Sequence, residues 1–398
     1  MANQRAQLRL EHVASGLTIN TFLSATLKDA WLEPLGSLEV EIAPPDTQWS
    51  TWFRTLVKGE AIQFFINGAS QGLYLIQERK TKLGAKGGRT FKLQCETYLC
   101  TAHEANVDPD YGINANSSVP IERVVLKVMA PYFTDPPLTS AVAHVEALSG
   151  QPLPGGQALP FPLSALKASA SKASAGESKQ AFVNKLVTRL GVVMRVDGNG
   201  RLMLVAPNYT QGRSWSVGAS STRLMTPDFD VFYGDIDLVE TNKGQFSQAR
   251  VIGQGNQSPP VGNAGVTTVS RPKPSAVLAQ GLVPNRCLYQ SSVHPLKEIV
   301  FKDKHSTDTT TCLSSAQLIL GEHASKAYVI TGMVDGWTNK SGAVWTTDTQ
   351  GRVKIDDFDL DETFWLSERE LHMTKEGEAA KLTAIPSGAL ILGPKPGT

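Results

Sequence analysis

Cys95, Cys100 and His103 form a C-x4-C-x2-H pattern, a spacing from which a zinc site can start. The second half of such a site would have to come from far away, since Cys287 and Cys312 lie much later in the chain. Cys95 ends the alternating run Phe91-Lys92-Leu93-Gln94-Cys95, so the sequence reads it as a buried strand thiol. A calcium pattern appears in DDFDLDETFWLSE, where Asp357, Asp359, Asp361 and Glu368 take positions one, three, five and twelve. Position six of a calcium loop needs glycine for its sharp turn, and here it is Glu362. An acidic turn between two strands fits these residues better.

The seven histidines are scattered, and none stands three or four residues from another. The chain has no HExxH, no GxxxxGK[ST], no GxSxG elbow followed by acid and histidine, and no GxGxxG between strand and helix. Paired carboxylates for glycoside hydrolysis have no sequence spacing of their own, and no carboxylate sits in an aromatic-lined polar motif. The sequence therefore names no catalytic residue, no metal and no cofactor. Arg79, Lys80, Lys82, Lys86, Arg89 and Lys92 make one basic stretch. Phosphate contact is one reading of it, but a solvated tip or a contact with a partner protein fits more often.

Composition bounds the rest. Charged residues are 19% and hydrophobic residues 41%, an ordinary folded balance. The net charge of +1 supplies no global field for nucleic acid or an anionic membrane. The first sixteen residues lack the apolar core of a signal peptide, and no run approaches eighteen apolar residues. A chain made in the cytoplasm, without a membrane span, is expected.

The first hundred residues carry short alternating runs at Leu8–Leu10, Leu38–Ile42, Ala61–Ile66, Gly72–Glu78 and Thr90–Cys95, with Asn67-Gly68 as a hairpin turn. Ile121, Val124, Val125, Val128 and Met129 follow Pro120 at helical spacing, and Phe182–Leu190 repeats that period. GVVMRV-DGNG-RLMLVAP then reads as a hairpin. Between the helices, 133–165 is rich in proline and glycine and 165–176 is an Ala/Ser/Lys run. Strands return from about 213, at Leu238–Thr241, Gln248–Gln254, Lys297–Phe301, Ala327–Val334, Ala343–Trp345, Val353–Ile355 and Phe364–Ser367. A breaker-rich insertion fills 255–275, and a third helix fits Ser314–Ser325. The expected fold is mixed and mainly β: two antiparallel β-barrel domains with an α+β domain between them. Its boundaries are 1–98 for the first barrel, 99–212 for the insert, 213–370 for the second barrel and 371–398 for a C-terminal strand and tail.

The stretch VDGWTNKSGAVW at 334–345 sets two tryptophans around a polar tetrad. A sugar platform is one reading. A hairpin whose tryptophans pack in a core or an interface is the favoured one.

Four segments, in order along nearly the whole chain, resemble the baseplate hub of Mu-type contractile-tailed phages. That family, also called late control or tail hub proteins, is related to the first part of type VI secretion spike proteins. The segments are KGEAIQ with QGLYL, ES leading into Phe182–Leu190 and GVVMRVDGNGRLMLVAP, FSQARVIGQ at 246–254, and VDGW…GAVW with Val353 following. The run at 165–176, the insertion at 255–275 and the Trp345-to-Val353 spacing depart from the family pattern. The resemblance implies a non-enzymatic homotrimer with two similar barrels per subunit, a ring of six barrels matching a hexameric tail tube above and a trimeric spike below. It further implies a central DNA exit channel, other baseplate proteins as partners, no sequence-specific nucleic acid, no stable membrane association, and a place in the virion tail. Within that frame Trp337, Trp345, Gly336, Gly342, Gly253 and Gly200 are structural residues. The rival readings are a tail-associated cell-wall hydrolase and a carbohydrate-binding β module.

Overall fold

A computed structural model describes residues 6–84, 88–108, 112–113, 121–129, 171–187, 193–198, 200, 202–205, 212–221, 225–241, 246, 248–253, 298–303 and 319–389. The expected loop at 255–275 and most of the Pro/Gly and Ala/Ser/Lys stretches lie outside these residues.

The first unit contains β1 (Leu8–His12), β2 (Thr18–Ile19), β3 (Ser24–Ala30), β4 (Ser37–Ile42), α1 (Trp49–Thr55), β5 (Ala61–Ile66), β6 (Ala69–Leu83) and β7 (Arg89–Thr97). Strict alternation makes these strands. Every second residue of β4 and β5 is buried, which places Leu38, Val40, Ile42, Ile62, Phe64 and Ile66 on one inner face. Asn67 and Gly68 both have positive φ, +50° and +81°, the type I′ geometry that joins β5 to β6 in register. The hydrogen-bonded order is β2-β1-β5-β6-β7-β4-β3, antiparallel throughout.

A mixed region follows. It holds α2 (Cys100–Glu104), β8 (Gly112–Ile113), α3 (Ile121–Met129), β9 (Ser171–Lys172), α4 (Lys179–Val187), β10 (Val193–Val196) and β11 (Leu202–Val205). Val124, Val125, Val128 and Met129 of α3 are buried, as are Phe182, Val183, Leu186 and Val187 of α4, and the two helices pack together. The hairpin β10–β11 pairs Val196 with Leu202 across the turn.

The second unit contains β12 (Arg213–Ala219), β13 (Asp230–Glu240), β14 (Gln248–Gly253), β15 (Glu298–Asp303), β16 (Tyr328–Asp335), β17 (Thr349–Ile355), β18 (Leu360–Met373) and β19 (Glu378–Pro386). Six of these close a barrel in the order β12-β13-β16-β19-β18-β17 and back to β12. The barrel is antiparallel except around β12, which runs parallel to both β13 and β17. β14 and β15 form a separate parallel pair.

The two units share strands. The first half of β18, Leu360–Leu366, pairs with β17, and its second half, Glu368–Met373, pairs with β3. β19 runs beside both halves, so one thirteen-stranded sheet passes through both units. The boundary expected at 370 therefore falls inside β18. Their buried residues also make one continuous cluster, from Leu10, Phe64 and Leu93 to Ile330, Val353 and Phe364.

Several expected elements differ in the structure; Phe364–Ser367, for one, is only the middle of β18. Ala343–Trp345 is not a strand: only Val344 pairs, through an isolated bridge to Thr338. The strand expected at Leu238–Thr241 begins much earlier, at Asp230. Of the expected helix at Ser314–Ser325, the described part, 319–325, is helical.

Candidate functional site

The 336–345 loop leaves β16 at Gly336, whose φ of +79° reverses the chain. Trp337 then turns inward and is fully buried. Its ring meets Phe64 of β5 edge-on, with centroids 6.4 Å apart, and its indole N–H donates to the backbone oxygen of His372 at 2.8 Å. Asn339 organises the turn. Its Oδ1 accepts from the Ser341 amide at 3.0 Å, the Ser341 hydroxyl at 2.6 Å and the Ala343 amide at 3.1 Å, while its Nδ2 donates to the Ser214 oxygen at 3.0 Å. Gly342 has φ of +84° and donates its amide to the Asn339 oxygen. Trp345 closes the loop by donating its amide to the Trp337 oxygen, and its ring meets Trp215 at 6.1 Å. Both tryptophans are at most 1% exposed, so neither offers a face to a sugar.

Beneath this loop lies a buried charge cluster. Asp29, at the end of β3, has a side chain only 16% exposed. Its carboxylate accepts a short hydrogen bond from Arg195 of β10, and Thr347 donates to it at 2.9 Å. Arg369 of β18 stands 3.6 Å away through Nε. Burial pushes the Asp29 carboxyl up, but Arg195, Arg369 and the Thr347 hydroxyl outweigh burial and hold it below the ordinary aspartate value. Arg195 also donates to the Ala30 oxygen at 2.9 Å. Arg369 donates to the Trp345 oxygen and, at 3.1 Å, to Gln71. One carboxylate thus ties the first unit, the β10–β11 hairpin, the second unit and the tryptophan loop together. Beside it, Trp31 packs edge-on against Trp365 at 5.2 Å, and Val193 of β10 and Ile385 of β19 complete a small apolar cluster.

A cleft of about 550 Å³ opens at this junction, lined by Asp29, Arg195, Arg369, Gln71, Tyr74 and Asp197 among others. Its ionic groups already serve each other, and Asp29 stays ionised between two guanidiniums. That suits a fixed counter-ion, not a proton-transfer group. The hairpin tip docks on the β5–β6 turn: Gly198 accepts hydrogen bonds from Gln63 and Ser70, and a Cβ there would stand 2.8 Å from the Ser70 oxygen. Gly200 completes the tip with φ of +80°. Gly253 ends β14, opposite Asp303.

The other candidates are placed as follows. Cys95 and Cys100 are buried; burial pushes the Cys95 thiol up, and it raises Cys100 to about 11. Gln77 donates to Cys100 Sγ at 2.9 Å, while His103 Nδ1 lies 2.7 Å from Gln180 of α4, which ties α2 to α4. Cys287 and Cys312 lie outside the described residues. The acidic run forms the turn between β17 and β18. Asp361 takes both forks of Arg352 at 2.6 Å, and Asp357 accepts from the Ser221 amide at 2.9 Å. Among the described residues no group of three or more His, Cys, Asp or Glu is set to hold a metal. In the basic stretch, Lys92 pairs with Glu39 at 2.7 Å and Arg79 donates to the oxygens of Phe53 and Leu56.

No family model matches the chain, and no curated protein matches it in sequence. Solved structures do match. The tail protein from Neisseria meningitidis MC58 superimposes with a TM-score of 0.67 at 13% identity, covering 97% of this chain and 98% of that one. The 43 kDa tail protein of prophage MuSo2 from Shewanella oneidensis gives 0.67 at 12% identity, covering 97% and 99%. The prophage tail protein gp18 from Listeria monocytogenes EGD-e gives 0.50 at 10% identity, covering 95% and 94%. At these identities the shared property is the fold, and it extends over essentially the whole of both chains.

Proposed function

We propose that this chain is the structural baseplate hub of a phage or phage-like tail: a homotrimeric ring that joins a hexameric tail tube to a trimeric central spike. The observation that carries this reading is the fused pair of β units, built through shared strands β18 and β19, in a chain whose fold matches tail proteins end to end. Three copies of a two-unit chain present six β units on one side and threefold symmetry on the other. That arithmetic adapts a sixfold tube to a threefold spike without a second gene product.

The work of such a protein is mechanical. The shared sheet and the Asp29–Arg195–Arg369 cluster fix the angle between the two units, which a ring requires. DNA passes through the central opening without being read, the partners are the tube, the spike and other baseplate proteins, and no catalytic step is involved. Burial of Trp337 and Trp345 weighs against the carbohydrate-platform alternative.

The test is the mass of the purified chain by light scattering after size exclusion, followed by particle imaging. The expected result is three times the chain mass and a ring with a central hole. A monomer that instead cleaves cell-wall material, or whose melting shifts on adding oligosaccharide, would overturn the hub reading.

A further inference from the structure

Two exposed surfaces of opposite charge lie at opposite flanks of the described sheet. The first is the far end of the β6–β7 hairpin. β4 covers β7 only from Phe91 to Glu96, whereas β6 and β7 pair onward to Leu83 and Arg89, so the end is a two-stranded arm. It carries Lys82 and Arg89, with Leu83 68% exposed, and Lys80 lies just inside it, opposite Lys92. Lys80 pairs with its neighbour Glu78 at 3.2 Å and also acts electrostatically on Glu39, and Lys82 has no ion-pair partner among the described residues. The base of the arm is held firmly. Trp49 stacks on Phe91 at 4.6 Å, Arg89 lies over Trp49 at 5.3 Å, and Arg79 lies over Phe53 at 4.4 Å. An arm fixed in this way loses little freedom when something docks on it.

The second surface is β13. Beyond Asp230 and Val231 its β12-side backbone edge is unpaired among the described residues. Asp235, Asp237 and Glu240 are exposed and have no ion-pair partner there, and Val231, Tyr233 and Val239 stand out beside them at 44–51% exposure. An open strand edge with an apolar row invites pairing unless something covers it.

Topology separates the two surfaces. In the hydrogen-bonded order, β6 is three strands from β3, and β13 is three strands from β18; β3 and β18 form the seam between the units. Strand order therefore sets each surface apart from the seam and from the other within one chain. Between copies they are complementary in charge and both carry apolar residues. We propose that a second copy of this chain is the occupant, docking head to tail so that the basic β6–β7 arm of one copy seats on the acidic, open β13 edge of the next. Such a contact is heterologous, and it closes a ring when the rotation per copy divides the circle evenly. The proposal rests on the self-assembly of the hub reading and adds the surfaces that carry it.

The test is sedimentation velocity on the full chain with charge reversals at exposed positions. Lys80→Glu with Lys82→Glu, or Asp235→Lys with Asp237→Lys, is expected to weaken self-association by at least about tenfold, and the four changes together to restore most of it. Association of the unaltered chain also weakens as salt rises. Lys82→Gln and Asp237→Asn replace any reversal that lowers the melting temperature. A trimer indifferent to all these changes overturns the docking and leaves the hub reading standing. A four-fold variant no stronger than either pair also overturns it. An unaltered chain that stays monomeric removes both.

Discussion

The indole N–H of Trp337 donates to the backbone oxygen of His372 at 2.8 Å. Trp337 lies in a loop of the second unit, and His372 lies in the half of β18 that pairs with β3 of the first. With Phe64 of β5 against its ring, this side chain pins one unit to the other. Trp337→Ala is expected to cost about 3–5 kcal/mol, the usual loss for truncating a buried large aromatic. Trp337→Phe keeps most of the packing and leaves the His372 oxygen without its donor, which costs about 1–3 kcal/mol. Urea denaturation of the three proteins checks this order. Equal midpoints would show that the tryptophan does not brace the junction.

Gly351 of β17 has no room for a methyl group. A Cβ built there would overlap the Trp215 ring on neighbouring β12. The ring lies across the glycine and donates its N–H to Thr349 at 3.1 Å. Gly351→Ala must push Trp215 out of place, at a cost of about 1–3 kcal/mol from overpacking. Near-ultraviolet circular dichroism should change with it, because Trp215 also packs on Trp345. An unchanged spectrum and melting temperature would mean the barrel gives way without resistance.

Much of the first unit is legible in the sequence because its strands alternate cleanly. β4 and β5 bury every second residue, and Asn67-Gly68 is the turn that positive φ at two positions demands. β3 is not legible: SATLKDA buries only Ala25 and Leu27, and its small and charged residues carry little strand signal. Ala343–Trp345 reads as a strand because valine and tryptophan favour one, yet Trp345 is buried by ring packing in a loop. The parallel placement of β12 is hidden too, since alternation gives a strand and not its neighbours. Least visible is the Asp29 cluster. Its three charged residues lie more than 150 positions apart, and the only local hint is one arginine, Arg195, within the apolar VVMRV run.

Asp29 makes the junction sensitive to acid. Its folded carboxyl titrates below the ordinary value of about 3.9. The stability it supplies is therefore fully present above that value and is lost as pH falls through the lower folded value. Asp29→Asn is expected to cost about 3–5 kcal/mol at neutral pH, because Arg195 and Arg369 lose their shared counter-ion. The difference between the two proteins should hold steady down to about pH 4 and shrink below it. Denaturant midpoints from pH 7 to pH 2 measure that difference directly. A gap that stayed constant through the acid range would mean the carboxylate is not the group that matters.

Asn339 tests whether the tryptophan loop is shaped by its own polar core or only by the sheet around it. The residue is 7% exposed and serves four hydrogen bonds, three into Oδ1 and one from Nδ2 to Ser214 of β12. Asn339→Ala leaves the amides of Ser341 and Ala343 and the Ser214 oxygen without those partners. Ser214, Ser341 and Ala343 are exposed residues, so water takes over the freed groups and the expected loss is about 0.5–1.5 kcal/mol for each bond removed. Asn339→Asp is the sharper variant. A carboxylate still accepts from Ser341 and Ala343 but cannot donate to Ser214, and it brings a charge near Asp230, which accepts from the Lys340 amide at 3.0 Å. The Asn339→Asp protein should therefore fall between the unaltered chain and Asn339→Ala in stability at neutral pH. It should recover on mild acidification, as one carboxyl takes a proton and can donate again. Hydrogen exchange at Ser341, Ala343 and Trp345 reads the loop separately from global unfolding. Fast exchange in Asn339→Ala, with the rest of the barrel unchanged, would place the loop's order in this one side chain. Unchanged exchange would place it in the burial of the two tryptophans.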